Sequence, residues 1–165
     1  MATLYVMIGV PGSGKTTYAT QHGLTVSSDK IREELYGDEN IQGNPDEVFG
    51  LFCERIGEAL AAGKDVYADS TNVTRWTRRS ILKEAKRTGA NAVAVVLTTK
   101  DSDSKMRNNL RSRTVPEVII DRMRRRFEPP TIEEGFSEII YVESELLTDN
   151  VSDMTFQAIP APAGI

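Results

Sequence analysis

A glycine-rich segment near the start of the chain, GVPGSGKT at residues 9–16, limits the possible folds more than any other feature. It fits the phosphate-loop pattern G-x-x-x-x-G-K-[ST] in full. An apolar run at residues 2–8 precedes it and predicts a buried strand, and residues 17–21 continue as a predicted helix. Because strand, glycine loop and helix form the context in which this pattern binds phosphate, the segment predicts a nucleoside triphosphate site.

The chemistry of this loop follows from its residue types. Glycines allow successive backbone N–H groups to point inward at a helix N-terminus, where they bind an anion. Lys15 is expected to reach the β- and γ-phosphates, and the Thr16 hydroxyl is expected to ligate Mg²⁺. We therefore predict ATP as phosphoryl donor, Mg²⁺ as cofactor, and a donor site made by Gly9, Pro11, Gly12, Ser13, Gly14, Lys15, Thr16 and Thr17.

Composition narrows the class further. With 165 residues, 39% of them hydrophobic and 27% charged, the chain is expected to form one domain over residues 1–165. It contains no apolar run of membrane-spanning length and no basic leader, so we expect no membrane partner and a cytoplasmic location, in the host cytoplasm if a phage encodes it. The oligomeric state stays open.

The formal net charge of −4 argues against a protein that coats duplex nucleic acid non-specifically. Positive charge is nevertheless concentrated between residues 105 and 126, a segment that contains eight basic residues and only two acidic ones. A local basic surface on an acidic body suits binding of one phosphorylated end rather than a long duplex.

Strand and helix patterns alternate along the chain. Strands are predicted at residues 2–8, 24–27, 65–69, 92–97 and 138–142, and helices at 28–36, 44–63, 74–88 and 101–127. The C-terminal tail, residues 151–165, is predicted to be partly extended and frayed from residue 159. This order predicts an α/β fold of the P-loop NTPase type, a doubly wound parallel sheet with the nucleotide at the carboxyl ends of its strands.

The remaining motifs favour a small kinase over other nucleotide-binding classes. A GTPase requires D-x-x-G after strand three, which is missing from residues 60–98, and N/T-K-x-D, which Thr99-Lys-Asp-Ser misses by one position. The chain is also short for a helicase or mechanical ATPase. A kinase needs a base that orients the acceptor, cationic clamps, and a lid that excludes water.

Candidates for the acceptor side follow strands two and three. Asp29 is placed to accept the proton of an attacking hydroxyl, and Arg32, one helical turn later, to hold an acceptor phosphate. Asp69 is placed for water-mediated contact with Mg²⁺, and Thr71 and Asn72 to position acceptor or metal. A structural interpretation stays open, in which Asp29 and the segment 69–72 cap helices. Arg78 follows as a further candidate for substrate binding.

Residues 101–127 have the pattern of a helical, arginine-bearing lid. Ile120, Met123 and Phe127 form an apolar seat on one face, and a second face carries the arginines Arg122, Arg125 and Arg126. Together with Arg111 in the preceding turn, these arginines are predicted to swing over the γ-phosphate. Trp76 is predicted either to stack on a base or to pack against a neighbouring loop.

Taken in order, these segments resemble the kinase domain of phage and bacterial polynucleotide 5′-kinases. The resemblance covers about residues 4–142 and rests on the phosphate loop, Ser28-Asp-Lys-Ile-Arg32, Asp69-Ser-Thr-Asn72 with Arg78-Arg79, and Arg107-Asn-Asn-Leu-Arg111 before Val115-Pro116. It implies transfer of the ATP γ-phosphate to single-stranded or recessed 5′-hydroxyl ends of RNA or DNA, as in end healing and repair. The resemblance also implies three catalytic residues: Lys15, which binds the phosphates, Asp29, which is the general base, and Arg111, which is the lid arginine. It further implies that Arg32 binds the acceptor's 3′-phosphate.

Two departures and two alternatives accompany this resemblance. The family carries Asp-Thr-Asn where this chain has Asp69-Ser-Thr-Asn72, so either Asp69 or Ser70 takes the acidic position. The phosphatase motif Asp-x-Asp-Gly-Thr does not occur in the sequence, so 3′-end healing is not expected from it. Related P-loop kinases that share the pattern of residues 127–136 act on small hydroxylated metabolites or sugar nucleotides, which is one alternative. A nucleotide-binding regulator without phosphoryl transfer is the other.

Overall fold

The computed structural model describes residues 1–111, 114–146 and 154–162. In these residues a single sheet of six strands, in the order β2-β3-β1-β4-β5-β6, forms the centre of the fold. The strands are β1 Thr3–Ile8, β2 Thr25–Ser27, β3 Val66–Asp69, β4 Asn91–Thr98, β5 Glu138–Leu146 and β6 Met154–Ile159. Strands β1–β5 are parallel and β6 is antiparallel to β5.

Within the described ranges, six helices connect and cover the strands. They are α1 Lys15–His22, α2 Ser28–Tyr36, α3 Pro45–Ala61, α4 Arg75–Thr88, α5 Asp101–Leu110 and α6 Glu117–Arg126, and a short 3-10 turn spans Ile132–Glu134. The α/β fold of the P-loop NTPase type with a mainly parallel sheet is therefore confirmed. In the part of the chain that the structure describes, no helix is both long and apolar enough to span a membrane.

The two faces of the sheet are buried by different helices. On one face, Leu4, Val6 and Ile8 of β1 pack with Phe52 and Ile56 of α3 and with residues of α2 and α4. On the other face, Met7 packs with Ala19 of α1 and with Val95 of β4. Since β1 and β4 are covered on both sides, residues 4–8 and 92–97 are apolar without interruption, as is typical of buried parallel strands.

Side-chain caps fix where several helices begin. Ser27 accepts a hydrogen bond from the backbone N–H of Lys30 at the start of α2, and Asn44 accepts one from Asp46 N–H at the start of α3. Thr74 does the same for Thr77 N–H at the start of α4. Such caps satisfy N–H groups that have no partner inside a helix. They place the first turn of α2 directly beyond the carboxyl end of β2.

Two C-terminal features differ from the predicted pattern. The predicted lid at residues 101–127 is not one helix, because it breaks after Leu110 and α6 starts only at Glu117. The tail predicted at 151–165 contains a regular strand, β6, in which Ile159 lies opposite Tyr141, so fraying does not begin at residue 159. Residues 151–153 and 163–165 of that tail lie outside the described part of the chain.

Candidate active site

A cleft with a volume of about 870 Å³ lies at the carboxyl ends of β1, β2 and β3. In a doubly wound sheet a ligand binds at this edge, where the strand order reverses between β1 and β4. The cleft brings together most of the predicted site residues, namely Pro11, Gly12, Gly14, Lys15, Thr16, Thr17, Asp29, Arg32, Asp69, Thr71 and Arg111. Gly9, Ser13, Asn72 and Arg78 are not among its lining residues.

The phosphate loop has the backbone conformation that its glycines permit. Gly12 and Gly14 have φ values of 81° and 98°, in the left-handed region that side chains disfavour. Lys15 is buried at the start of α1, and its Nζ donates a hydrogen bond to the carbonyl oxygen of Val10 at 2.9 Å. Burial lowers the pKa of Lys15 to about 8, although the nearby Asp69 carboxylate acts in the opposite direction. A phosphate group here would favour the charged ammonium.

Thr16 and Asp69 meet across the floor of the cleft. The Thr16 hydroxyl donates a hydrogen bond to Asp69 Oδ2 at 2.6 Å. Burial raises the pKa of Asp69, while Lys15 and the Thr16 hydroxyl oppose that shift. Asp69 rather than Ser70 therefore provides the carboxylate beside the phosphate loop.

The Thr16 and Asp69 oxygens fit Mg²⁺ and no metal that needs a larger set of protein ligands. Mg²⁺ prefers oxygen ligands and keeps several of its waters, so one hydroxyl and one carboxylate suffice beside substrate phosphates. Among the described residues no group of three or more His, Cys, Asp or Glu side chains is arranged to hold a metal.

Asp29 lies between two arginines from different parts of the chain. Arg32, on the same helix, donates from Nη1 to Asp29 Oδ1 at 2.9 Å. Arg111, at the end of α5, donates from Nη2 to Asp29 Oδ2 at 3.2 Å. The structure thus brings together the three residues predicted as base, acceptor clamp and lid arginine.

Arg107 is a cleft residue to which the sequence analysis assigned no role. It lies under the phosphate loop with 2% of its surface exposed, and its Nη1 donates to Gly12 O at 3.0 Å and to Ser144 Oγ at 3.3 Å. Its Nε and Nη2 have no hydrogen-bond partner within the described ranges. Two buried donors beside a phosphate loop fit an anionic ligand. The available signal was spacing, because Arg107 precedes Arg111 by one helical turn.

The loop is held in place by contacts behind the cleft. Gly9 donates its backbone N–H to Thr71 O at 3.0 Å, so the backbone of the segment after β3 supports the loop. Ser13 accepts a hydrogen bond at its carbonyl from Ser144 Oγ of β5 at 2.8 Å. Gly9 and Ser13 therefore shape the loop from behind, while their neighbours line the cleft.

The geometry corrects the predicted roles of Asn72 and Arg78. Asn72 is buried, has a φ of 50°, and donates from Nδ2 to Met7 O at 2.8 Å. Arg78 is 0% exposed and donates to both carboxylate oxygens of Glu134, at 2.8 and 3.1 Å, and to Asn72 O at 2.9 Å. Both polar groups are engaged inside the protein, so neither side chain is placed to contact a substrate in the cleft.

The predicted lid faces also need correction. Met123 and Ile119 of α6 line the cleft, whereas Arg122, Arg125 and Arg126 do not. Ile120 is fully buried and Phe127 packs against the main core. The predicted lid therefore presents Arg107 and Arg111 to the cleft together with apolar side chains.

Trp76 is too exposed to pack against a neighbouring loop, and its stacking on a base stays a prediction. It lies outside the cleft with 76% of its surface exposed, and the guanidinium of Arg79 sits 5.9 Å from its ring.

Fold, loop and the Thr16–Asp69 pair together define a P-loop nucleotide-binding domain of the NTPase type. Within that class, the chain belongs to the AAA domain family, whose model matches residues 4–130.

Two curated relatives carry related descriptions. The bifunctional polynucleotide phosphatase/kinase of Schizosaccharomyces pombe is 24% identical over 152 residues, which is 88% of this chain and 35% of that protein. A putative bifunctional polynucleotide phosphatase/kinase of Acanthamoeba polyphaga mimivirus is 29% identical over 163 residues, with the same coverage. The chain thus spans about a third of the length of these relatives. The resemblance noted from the sequence is confirmed.

Among solved structures, Chaetomium thermophilum Kti12 in complex with ADP-AlF3 has a similar fold. Its TM-score is 0.65 at 18% identity, and the match covers 84% of this chain and 87% of that one.

Proposed function

We propose that the protein is a kinase that transfers the γ-phosphate of ATP to the 5′-hydroxyl end of RNA or DNA. The observation that carries this proposal is the position of Asp29, which faces the same cleft as Lys15 and is contacted by both Arg32 and Arg111. A nucleotide regulator that binds Mg²⁺ needs one carboxylate, such as Asp69, but it has no need of a second carboxylate held between two arginines in the same cleft. The descriptions of the two polynucleotide phosphatase/kinase relatives support the acceptor class.

The donor half of the reaction rests on the phosphate loop. Backbone N–H groups of residues 12–16 and the Lys15 ammonium would bind the β- and γ-phosphates, and Arg107 would direct Nε and Nη2 toward them. Thr16 and Asp69 would hold Mg²⁺, which when bound neutralises charge on the phosphate oxygens. Burial of Lys15 and Arg107 strengthens these contacts, since the local dielectric is low.

The acceptor half rests on Asp29. Its carboxylate would accept the proton of the 5′-hydroxyl as the oxygen attacks the γ-phosphorus; the new O–P bond forms while the bond to the ADP oxygen breaks. Arg111 would exchange its contact with Asp29 for one with the transferring phosphoryl group, where negative charge develops. Arg32, fixed by its hydrogen bond to Asp29, would bind the phosphate on the 3′ side of the terminal nucleotide.

Transfer of label tests the proposal directly. The protein is incubated with Mg²⁺, γ-labelled ATP and a short single strand bearing a 5′-hydroxyl, beside the same strand bearing a 5′-phosphate. Label should enter only the 5′-hydroxyl strand, and Asp29→Ala should reduce the rate by several orders of magnitude, as expected for loss of a general base. Asp46→Asn, which alters an exposed carboxylate of α3 outside the cleft, is the matched control.

The other outcomes separate the alternatives. Label that enters a small hydroxylated metabolite or sugar nucleotide, and no oligonucleotide, would replace the proposed acceptor while leaving the donor site in place. ATP binding without transfer to any acceptor, and without effect of Asp29→Ala, would indicate a regulator.

A further inference from the structure

One aromatic residue of the cleft has no role in the reaction described so far. Phe49 lies near the start of α3, where the apolar side chains Val48, Phe52 and Ile56 are completely buried. Phe49 instead is 38% exposed and lines the cleft together with Asp29 and Arg32. An aromatic ring kept partly exposed inside a polar cleft offers a flat apolar surface to a ligand.

The ring is fixed from two sides. It packs edge-to-face on Phe52, with ring centroids 5.9 Å apart and an interplanar angle of 79°. The guanidinium of Arg32 lies 5.8 Å from its centroid. Because Arg32 also hydrogen bonds to Asp29, the ring has a defined position relative to the carboxylate.

The rest of this end of the cleft has matching chemistry. The lid contributes the apolar side chains of Leu110, Val115, Pro116, Ile119 and Met123, and the segment between α2 and α3 contributes the polar residues Glu39, Asn40 and Gln42. Apolar surface combined with amide groups suits a planar ligand that has a polar edge, which describes a nucleobase.

We propose that Phe49 is the platform on which the nucleobase of the acceptor's terminal nucleotide stacks, which makes it a specificity-determining residue. This inference rests on the proposed function and extends it, because it assigns the base-binding part of the acceptor site. Every base has a π-face, so a stacking platform binds all four bases and favours nucleic acid over acceptors without a ring. The Arg32 guanidinium then binds the phosphate of the acceptor, and the Phe49 ring binds its base.

The test compares two acceptors with two kinds of variant. Steady-state kcat and KM are measured for a 5′-hydroxyl strand with a normal terminal nucleotide and for one whose terminal nucleotide is abasic. The variants are Phe49→Ala and Phe49→Leu, the second of which keeps apolar packing on Phe52 without a planar ring. Trp76→Ala is the matched control, since it removes an exposed aromatic side chain outside the cleft. Thermal melting checks the folding of each variant.

Both Phe49 variants should raise the KM for the normal acceptor about 5- to 150-fold, the range for loss of one base–aromatic stack. They should leave the KM for ATP unchanged and have little effect on the abasic acceptor, which already lacks the stack. An unchanged KM for the normal acceptor, or an equal loss with both acceptors, would overturn the platform. Should the unaltered protein phosphorylate no oligonucleotide at all, the proposed function itself fails, and the platform with it.

Discussion

Replacing Arg78 with alanine should destabilise the protein and leave substrate affinity nearly unchanged. Arg78 is 0% exposed, and its guanidinium is bonded to both oxygens of Glu134 and to Asn72 O. The substitution removes all three hydrogen bonds and leaves the Glu134 carboxylate in a site that is only 9% exposed at the side chain. The variant therefore distinguishes a structural role of Arg78, in an ion pair, from the substrate-binding role that the sequence alone suggested.

The magnitude follows from burial. Removing one partner of a buried ion pair typically costs about 3–5 kcal/mol, because the other charge stays desolvated; the Thr131 N–H and the Arg75 guanidinium still contact Glu134, which favours the lower end of that range. For a chain of this size that loss corresponds to a Tm lower by about 6–20 °C. Replacing both partners with apolar residues, as in Arg78→Met with Glu134→Leu, should recover much of the loss, since no charge is then left buried.

Urea unfolding and melting experiments measure the effect, with Arg79→Ala as the control because Arg79 is the exposed neighbour on α4. The free energy of unfolding measured at acidic pH gives a second readout. Although burial opposes the shift, the hydrogen bonds from Arg78 and Thr131 hold the pKa of Glu134 below its ordinary value. A carboxylate with a lowered folded pKa stabilises the protein above its unfolded pKa and loses that contribution as the pH falls through the folded value. The stability difference between wild type and Arg78→Ala should therefore shrink in acid.

An unchanged urea midpoint for Arg78→Ala, combined with a raised KM for the acceptor, would refute this reasoning. It would show that the side chain leaves Glu134 to contact substrate.

Two further predictions concern the donor site. Because the pKa of Lys15 is about 8 in the protein without nucleotide, ATP affinity measured by calorimetry should fall as the pH rises above that value, by about tenfold per unit, and Lys15→Met should show no such slope. Asp69→Asn should abolish the Mg²⁺ dependence of nucleotide binding, since it removes the carboxylate bonded to Thr16, whereas Ser70→Ala should retain that dependence. The reverse result would show that Asp69 does not take the acidic position.

Short-range sequence patterns were sufficient to predict much of the fold. The phosphate loop and the uninterrupted apolar sequence of β4 are short-range signals, and each predicted an element that the structure contains. Parallel strands also end at one edge of the sheet, so the residues that follow the first three strands were expected at that edge, and Lys15, Asp29 and Asp69 line one cleft there.

Other features depend on contacts that sequence spacing does not reveal. Arg78 has the same local sequence whether it points into the cleft or toward Glu134, which lies 56 positions later. The orientation of α6 depends on Ile120 filling the core, and that side chain turned the neighbouring arginines away from the cleft. For the segment of β6 the sequence predicted only an extended chain, because the pairing of β6 with β5 depends on a register between distant residues.

The hydrogen bond from Ser144 to Ser13 has a consequence for biosynthesis. The hydroxyls that support the Ser13 carbonyl come far along the chain from the phosphate loop: Thr99 follows Ser13 by 86 positions and Ser144 follows it by 131. Met154 and Phe156 of β6, which lie against Gly14, follow later still. Contacts so distant in sequence form slowly and late, since the intervening chain must first be ordered. A nascent chain on the ribosome would therefore expose a loop that carries the nucleotide motif long before it can retain a nucleotide.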